Sequence, residues 1–236
     1  LGLRPGLPNY ITFAPERYDE LLAAKVSQLG TAFVSSGLAS EDIVSACHVV
    51  ASAPRHFRMR ARFQVLPVAD AGPLAFVMWE DGAPRVEIER FELAAEPICR
   101  AMDFLRDALG GGDLRRDLQA VSFLCSLTGD LHITLIYGAA SALAEGGAIV
   151  WRAAADDLRD RLAVALDLTT DSVSVLGRAK KRAECVGRMF VRETLALSDG
   201  RELRYRQPVG SFSNPNAGVN VGALEWLQGR LRLIQE

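Results

Sequence analysis

The chain has 236 residues, 49% of them apolar and 24% charged, which suits globular protein with a core of ordinary size in one large domain or two small ones. Its 27 basic and 29 acidic residues leave a formal charge of −2, so any grip on nucleic acid has to come from a local patch and not from the field of the whole molecule. No apolar run approaches the roughly 20 residues of a membrane helix, and the four scattered cysteines (Cys47, Cys99, Cys125, Cys185) lack metal-ligand spacing and read as thiols of a reducing compartment.

Leu1 to Ala14, rich in Gly and Pro, reads as an extended arm ahead of one domain over 15–236. The first residue is Leu rather than Met, and the sequence leaves open what precedes it. A helix is expected from Pro15, with Tyr18, Leu21, Leu22, Lys25, Val26 and Leu29 as its stripe, fading near Gly37. A connector with Cys47 and His48 follows. His56 to Leu66 alternates as a strand, Phe57, Met59, Ala61, Phe63 and Val65 on one face and His56, Arg58, Arg60, Arg62 and Gln64 on the other. Two short strands, Leu74–Glu80 and Arg85–Arg90, are joined through the hairpin signal Asp81-Gly82. A helix over Ala94–Leu109 stops at Gly110-Gly-Gly112, which stands after a helix and before a strand, the reverse of a nucleotide-binding loop.

Leu118–Leu127 and Leu131–Tyr137 form a second hairpin around Thr128-Gly-Asp130, and an Ala-rich loop leads to a helix over 148–166. Strands are expected at Val173–Arg178, Met189–Leu195 and Glu202–Gln207, and a helix over 217–233 closes the chain. Hairpins separated by helices predict an α+β fold, a mainly antiparallel sheet with flanking helices and no Rossmann domain.

Three stretches carry candidate chemistry. His56, Arg58, Arg60 and Arg62 stand about 6.6 Å apart on one strand face, able to track phosphates with planar, multidentate groups. The same spacing fits a solvated, edge-protecting face. Arg178, Lys180, Lys181 and Arg182, with Arg204 and Arg206 later, make a second basic set; Glu184, Glu193, Asp199 and Glu202 are interspersed, which fits a salt-bridged surface better than a binding site. In Tyr205–Asn220, Phe212 is a lone aromatic between serines. Asn214, Pro215 and Asn216 read either as a capped turn or as amides offered to a ligand.

His56-Phe-Arg-Met-Arg-Ala-Arg-Phe63 is similar to the His-aromatic-Arg-Met-Arg-Ala strand of the TrmA-type tRNA (uracil-5-)-methyltransferases. Leu176-Gly-Arg178 resembles their Ile-Gly-Arg segment, Tyr18–Phe33 their first helix, and Tyr205–Trp226 the segment before their methyltransferase domain. The resemblance implies that 15–236 is the RNA-binding part of such a protein, with RNA (tRNA or rRNA) as partner. It implies RNA contacts at His56, Arg58, Arg60, Arg62, Arg178, Lys180, Lys181, Arg206, Phe212, Asn214 and Asn216. Asn214 stands where the family has a Gln that helps hold the methyl donor and the uridine, one methylene short. Gln119 and Gly138 stand near positions of RNA-contacting aromatic or imidazole groups, which points away from a working tRNA site. The family's Gly-rich loop for S-adenosylmethionine and its Cys-Asn-Pro nucleophile have no counterpart, Asn214-Pro215 following Ser213. The expectation is therefore a non-catalytic subunit without cofactor or metal, S-adenosylmethionine entering only with a further C-terminal domain. A ribonucleoprotein such as an organellar (mitochondrial) ribosome is its expected host, other proteins of that complex are further partners, and the cytoplasm is the alternative location. The front part of an active enzyme and a protein-interaction module are the alternative readings.

Overall fold

The computed structural model describes residues 14–66, 72–78, 85–138, 143 and 146–235; the arm expected over 1–14, apart from Ala14, and the Asp81-Gly82 turn lie outside them. The elements are α1 (Tyr18–Ser35, entered through a 3-10 turn at Pro15–Arg17), α2 (Glu41–Ser45), β1 (Arg60–Leu66), β2 (Ala75–Met78), β3 (Val86–Glu87), α3 (Glu96–Ala108), β4 (Leu118–Cys125) and β5 (Leu131–Tyr137). They continue with α4 (Ala148–Leu166), β6 (Val173–Ala179), β7 (Arg182–Val186), β8 (Phe190–Ala196), β9 (Glu202–Pro208) and α5 (Ala217–Gln235). The fold is α+β, as expected: a seven-stranded sheet in the order β3-β2-β1-β4-β5-β6-β7, and a separate ribbon of β8 and β9. Every paired neighbour is antiparallel except β5 and β6, which run parallel with α4 as the crossover. That unit has the strand–loop–helix order, but its glycines, Gly138, Gly146 and Gly147, lack the spacing of a dinucleotide loop.

The core lies between one face of the large sheet and α3 and α4. The expected alternation of β1 holds: Met59, Ala61, Phe63 and Val65 are buried, while Arg58 and Arg62 are exposed. Phe63 packs against Phe76, Phe91 and Phe123 with centroids 5.2–6.2 Å apart. Trp151 of α4 lies over Gly177 of β6, where a Cβ would stand 2.5 Å from the indole. Its Nε1 donates to the Tyr137 hydroxyl at 2.9 Å, so a buried indole is satisfied inside the core.

Several expectations need correction. The strand begins at Arg60 rather than His56, because His56 adopts φ 55 and breaks the extended run. Phe57 is only half-buried. The strand β7 was not foreseen, since its hairpin turn is Lys180-Lys181, with Lys181 at φ 62 where Gly or Asn would signal the turn. The short α2, capped by the Ser40 hydroxyl accepting from Ile43 N at 3.4 Å, was read as connector. In α1 only Gly30 is buried, against Val44 of α2, so the expected stripe stays largely open at Val26 and Leu29.

The ribbon docks on the turn between β4 and β5. The Leu127 amide donates to Glu193 at 3.0 Å, and the Thr128 hydroxyl donates to the Arg192 carbonyl at 2.7 Å. Buried Asp130 accepts from the Arg192 amide at 2.7 Å and from the guanidiniums of Arg192 and Arg188 at 2.8 and 3.1 Å. Burial pushes the Glu193 carboxyl above its ordinary range.

Candidate nucleic-acid interface

The register across the sheet decides which side chains share its open face. Arg62 stands in a row with Ser122, Thr134 and Leu176; Gln64 stands in a row with Ala120, Ile136 and Arg178. Three interstrand steps of about 4.8 Å separate β1 from β6, so two basic edges flank a floor about 14 Å wide of small and neutral residues. Arg58, Arg60 and Arg62 line one hollow of about 260 Å³ with Val209 and Gly210 of the segment after the ribbon. Arg62 also lines a second, of about 690 Å³, together with Arg178, Lys180 and Lys181. The structure thus joins the two basic sets that lie far apart in sequence into one trough.

Among the described residues, none of Arg58, Arg60, Arg62, Arg178, Lys180 and Lys181 forms an ion pair. Of the acidic residues expected to dilute the second set, Glu202 pairs with Arg204 within it, as the salt-bridged alternative requires, while Glu184 pairs with Arg152 and Asp199 with Arg201 and Arg232, away from Arg178, Lys180 and Lys181. A row of cations without ion pairs on a neutral floor has the chemistry to hold phosphates, since ordinary solvated faces mix signs.

The segment 209–217 closes one end of the trough. Arg60 Nη2 donates to the Ser211 carbonyl at 2.7 Å, and the Met59 amide donates to the Pro215 carbonyl at 2.7 Å. Phe212, next to the carbonyl that Arg60 holds, is 91% exposed and free to stack. Asn216 is tied into the fold, whereas Asn214 is exposed with only its amide oxygen engaged. The Asn214 Oδ1 accepts from the Asn216 amide at 3.0 Å, closing the turn. Asn216 caps α5, its Oδ1 accepting from Val219 N at 3.0 Å and its Nδ2 donating to the Ser52 hydroxyl at 2.7 Å. Asn216→Ala is expected to lower stability by about 1 kcal/mol, read by chemical denaturation.

Two other expected contacts fall away from the trough. His56 is turned off the strand, its Nδ1 2.9 Å from the Ala94 carbonyl. Arg206 lies on the face of the ribbon opposite buried Gln207, with its guanidinium 4.9 Å from the Phe190 ring centre.

The amide oxygen of Asn214, at the position implied to touch the methyl donor, is closed into its own turn. Among the described residues no three His, Cys, Asp or Glu gather to hold a metal, and no helix is long and apolar enough to cross a membrane.

Residues 17–233 match the family model described as tRNA (Uracil-5-)-methyltransferase. The chain is 37% identical over 221 residues to the tRNA/tmRNA (uracil-C(5))-methyltransferase of Aromatoleum aromaticum, covering 92% of this chain and 54% of that protein. It is 37% identical over 218 residues to the enzyme of the same name from Dechloromonas aromatica, covering 91% and 54%. The Pseudomonas entomophila enzyme is 33% identical over 217 residues, again 91% and 54%. The chain spans about half the length of these relatives. With the family model matching residues 17–233 and a relative 37% identical over 92% of this chain, the chain belongs to the tRNA (uracil-5-)-methyltransferase family.

Proposed function

We propose that these residues form the RNA-binding part of a tRNA (uracil-5-)-methyltransferase-type protein and do not themselves carry out methyl transfer. The observation behind this reading is the trough with unpaired cations on both edges. Methylation at uracil C5 requires a thiolate to add at C6, and thiolates need an activating environment. Burial instead pushes Cys99 up to about 11 and Cys125 up to about 12, and raises Cys185, while the exposed Cys47 thiol donates to the Ile43 carbonyl of its own turn at 3.5 Å. The nucleophile and S-adenosylmethionine therefore belong to a domain outside these residues. The reported relatives, nearly twice as long and named as methyltransferases, favour such a setting over a stand-alone subunit of a ribonucleoprotein or organellar ribosome.

Binding of a short single-stranded RNA, followed by fluorescence anisotropy over a salt series, tests the trough. Six phosphate contacts at about −0.7 each give a log–log slope near −4. Replacing Arg58, Arg60 and Arg62 by Gln should flatten it by about 2, as should replacing Arg178, Lys180 and Lys181. Phe212→Ala should weaken binding by about 1–3 kcal/mol at unchanged slope. No binding, or slopes indifferent to both sets of changes, would turn the reading to a protein-interaction module.

A further inference from the structure

Beyond the Gln64–Ala120–Ile136–Arg178 row, the trough runs into a polar niche built by three backbone irregularities. A bulge interrupts β4 between Leu118 and Ala120. Leu118 stays buried opposite Tyr137, so the extra residue, Gln119, is re-aimed outward and is exposed. Asp117 turns into it at φ 56. Gly138 lies opposite, and a Cβ there would stand 2.3 Å from Gln119 Nε2 and 2.4 Å from an Asp117 oxygen. Both side chains therefore lie over bare backbone that any larger residue would occupy. The changes at Gln119 and Gly138 that seen in sequence suggest a lost contact are, in the fold, parts of one niche.

The niche opens on a hollow of about 420 Å³, within the roughly 300–1,000 Å³ of small-ligand sites. Leu66 and Leu74 give it apolar wall; Gln64, Asp117 and Gln119 give it a polar edge. Arg115 is fixed at its side by donating to the Gly72 and Leu109 carbonyls at 2.7 and 3.1 Å. The Gln64 and Gln119 amides make no hydrogen bond among the described residues. Each amide offers donors and an acceptor in one plane, as the edge of a nucleobase does, and apolar wall suits the base's faces. Gln64 follows Arg62 by two residues on the same strand face, about 6.6 Å away, so a phosphate held by Arg62 sits within one nucleotide of the hollow.

We propose that this hollow is a nucleobase pocket, entered edge-first by one unpaired base of the strand in the trough and read by Gln64 and Gln119. The proposal rests on the reading of the trough as an RNA site.

The test moves a single abasic site along the short single-stranded RNA and measures binding to the whole chain. For the wild-type protein one abasic position should weaken binding about tenfold, as loss of one bound base does. Gln64→Leu with Gln119→Leu should make the intact and abasic probes equal while leaving the salt slope unchanged. Gly138→Ala, whose Cβ displaces only side-chain tips, should act in the same direction with far-ultraviolet circular dichroism unaltered. RNA bound with the expected slope but with no abasic position sensitive to these changes overturns the pocket and leaves the trough standing. Absence of RNA binding overturns both.

Discussion

Phe63→Ala is expected to lower the unfolding free energy by about 3–5 kcal/mol, the range for truncating a fully buried aromatic ring. Phe63 is 0% exposed, and its ring is the one that touches Phe76, Phe91 and Phe123 together. Those partners come from β2, the loop before α3, and β4, so little local collapse can fill the space. The same residue sits between Arg62 and Gln64, and its packing holds the strand that presents them. Urea denaturation reads the effect, and a loss below about 1 kcal/mol would mean that the ring is not core. Phe63→Leu should recover most of the stability, because it keeps the site apolar and largely filled.

A fall in stability on mild acidification is the second large effect. His132 of β5 is 1% exposed, beside Ser174 of β6 and under Gly187–Arg188, where the chain enters the ribbon. Neither ring nitrogen has a hydrogen-bond partner in the described residues. Burial pushes its pKa down to about 4, the nearby Arg188 carbonyl opposing this in part. The unfolded chain takes the proton near pH 6.5 whereas the folded chain resists until about 4. The stabilisation is thus complete above about pH 6.5 and is lost as pH falls, by about 2 kcal/mol at about pH 5 and roughly 3 at about pH 4. Arg188 and Asp130 face the same ribbon entry. Glu193, whose pKa burial raises, works the other way, since its protonation on acidification relieves a buried charge and offsets part of the loss. His132→Leu should remove most of the pH dependence in denaturation curves at about pH 7 and about pH 5; an unchanged dependence would assign it elsewhere.

The face of β1 was legible because Arg58 to Gln64 alternate without interruption, and period two is a strong local signal. Its start was not, because nothing in the letters places His56 in the left-handed region. The turn at Asn214-Pro215-Asn216 was legible as a cap but equally as a pair of ligand amides; the hydrogen bonds to Val219 N and Ser52 make Asn216 the cap, while Asn214 keeps an exposed amide. Sequence could not show that Arg178 faces Arg62. That meeting depends on register through β4, β5 and β6, including a parallel step, and a one-residue slip would turn Arg178 toward α4. Nor could it show that Gln119 is a bulge, since a lone Gln in an apolar run fits either face. Arg206 misled for the opposite reason: it is near in sequence to the turn at 209–217, yet the ribbon directs it outward.

The parallel pairing of β5 with β6 has a consequence for the order in which the molecule assembles. β4 and β5 meet across the short turn Ser126–Asp130, and β6 and β7 across Lys180-Lys181. β6 can join β5 only after the whole of α4 has been laid down, and a longer closure carries a larger entropic penalty before its contacts form. The pairing that brings Arg60 and Arg62 onto the sheet closes a longer loop still, since Arg60 of β1 meets Leu124 of β4 whereas Leu131 of β5 meets Val173 of β6, so the row of Arg178, Lys180 and Lys181 is the earlier of the two. A chain halted between these steps would hold a native half-sheet and a single row of cations, and would grip a polyanion with about half the salt sensitivity of the finished domain. In this topology two-sided capture of the ligand belongs to the end of folding.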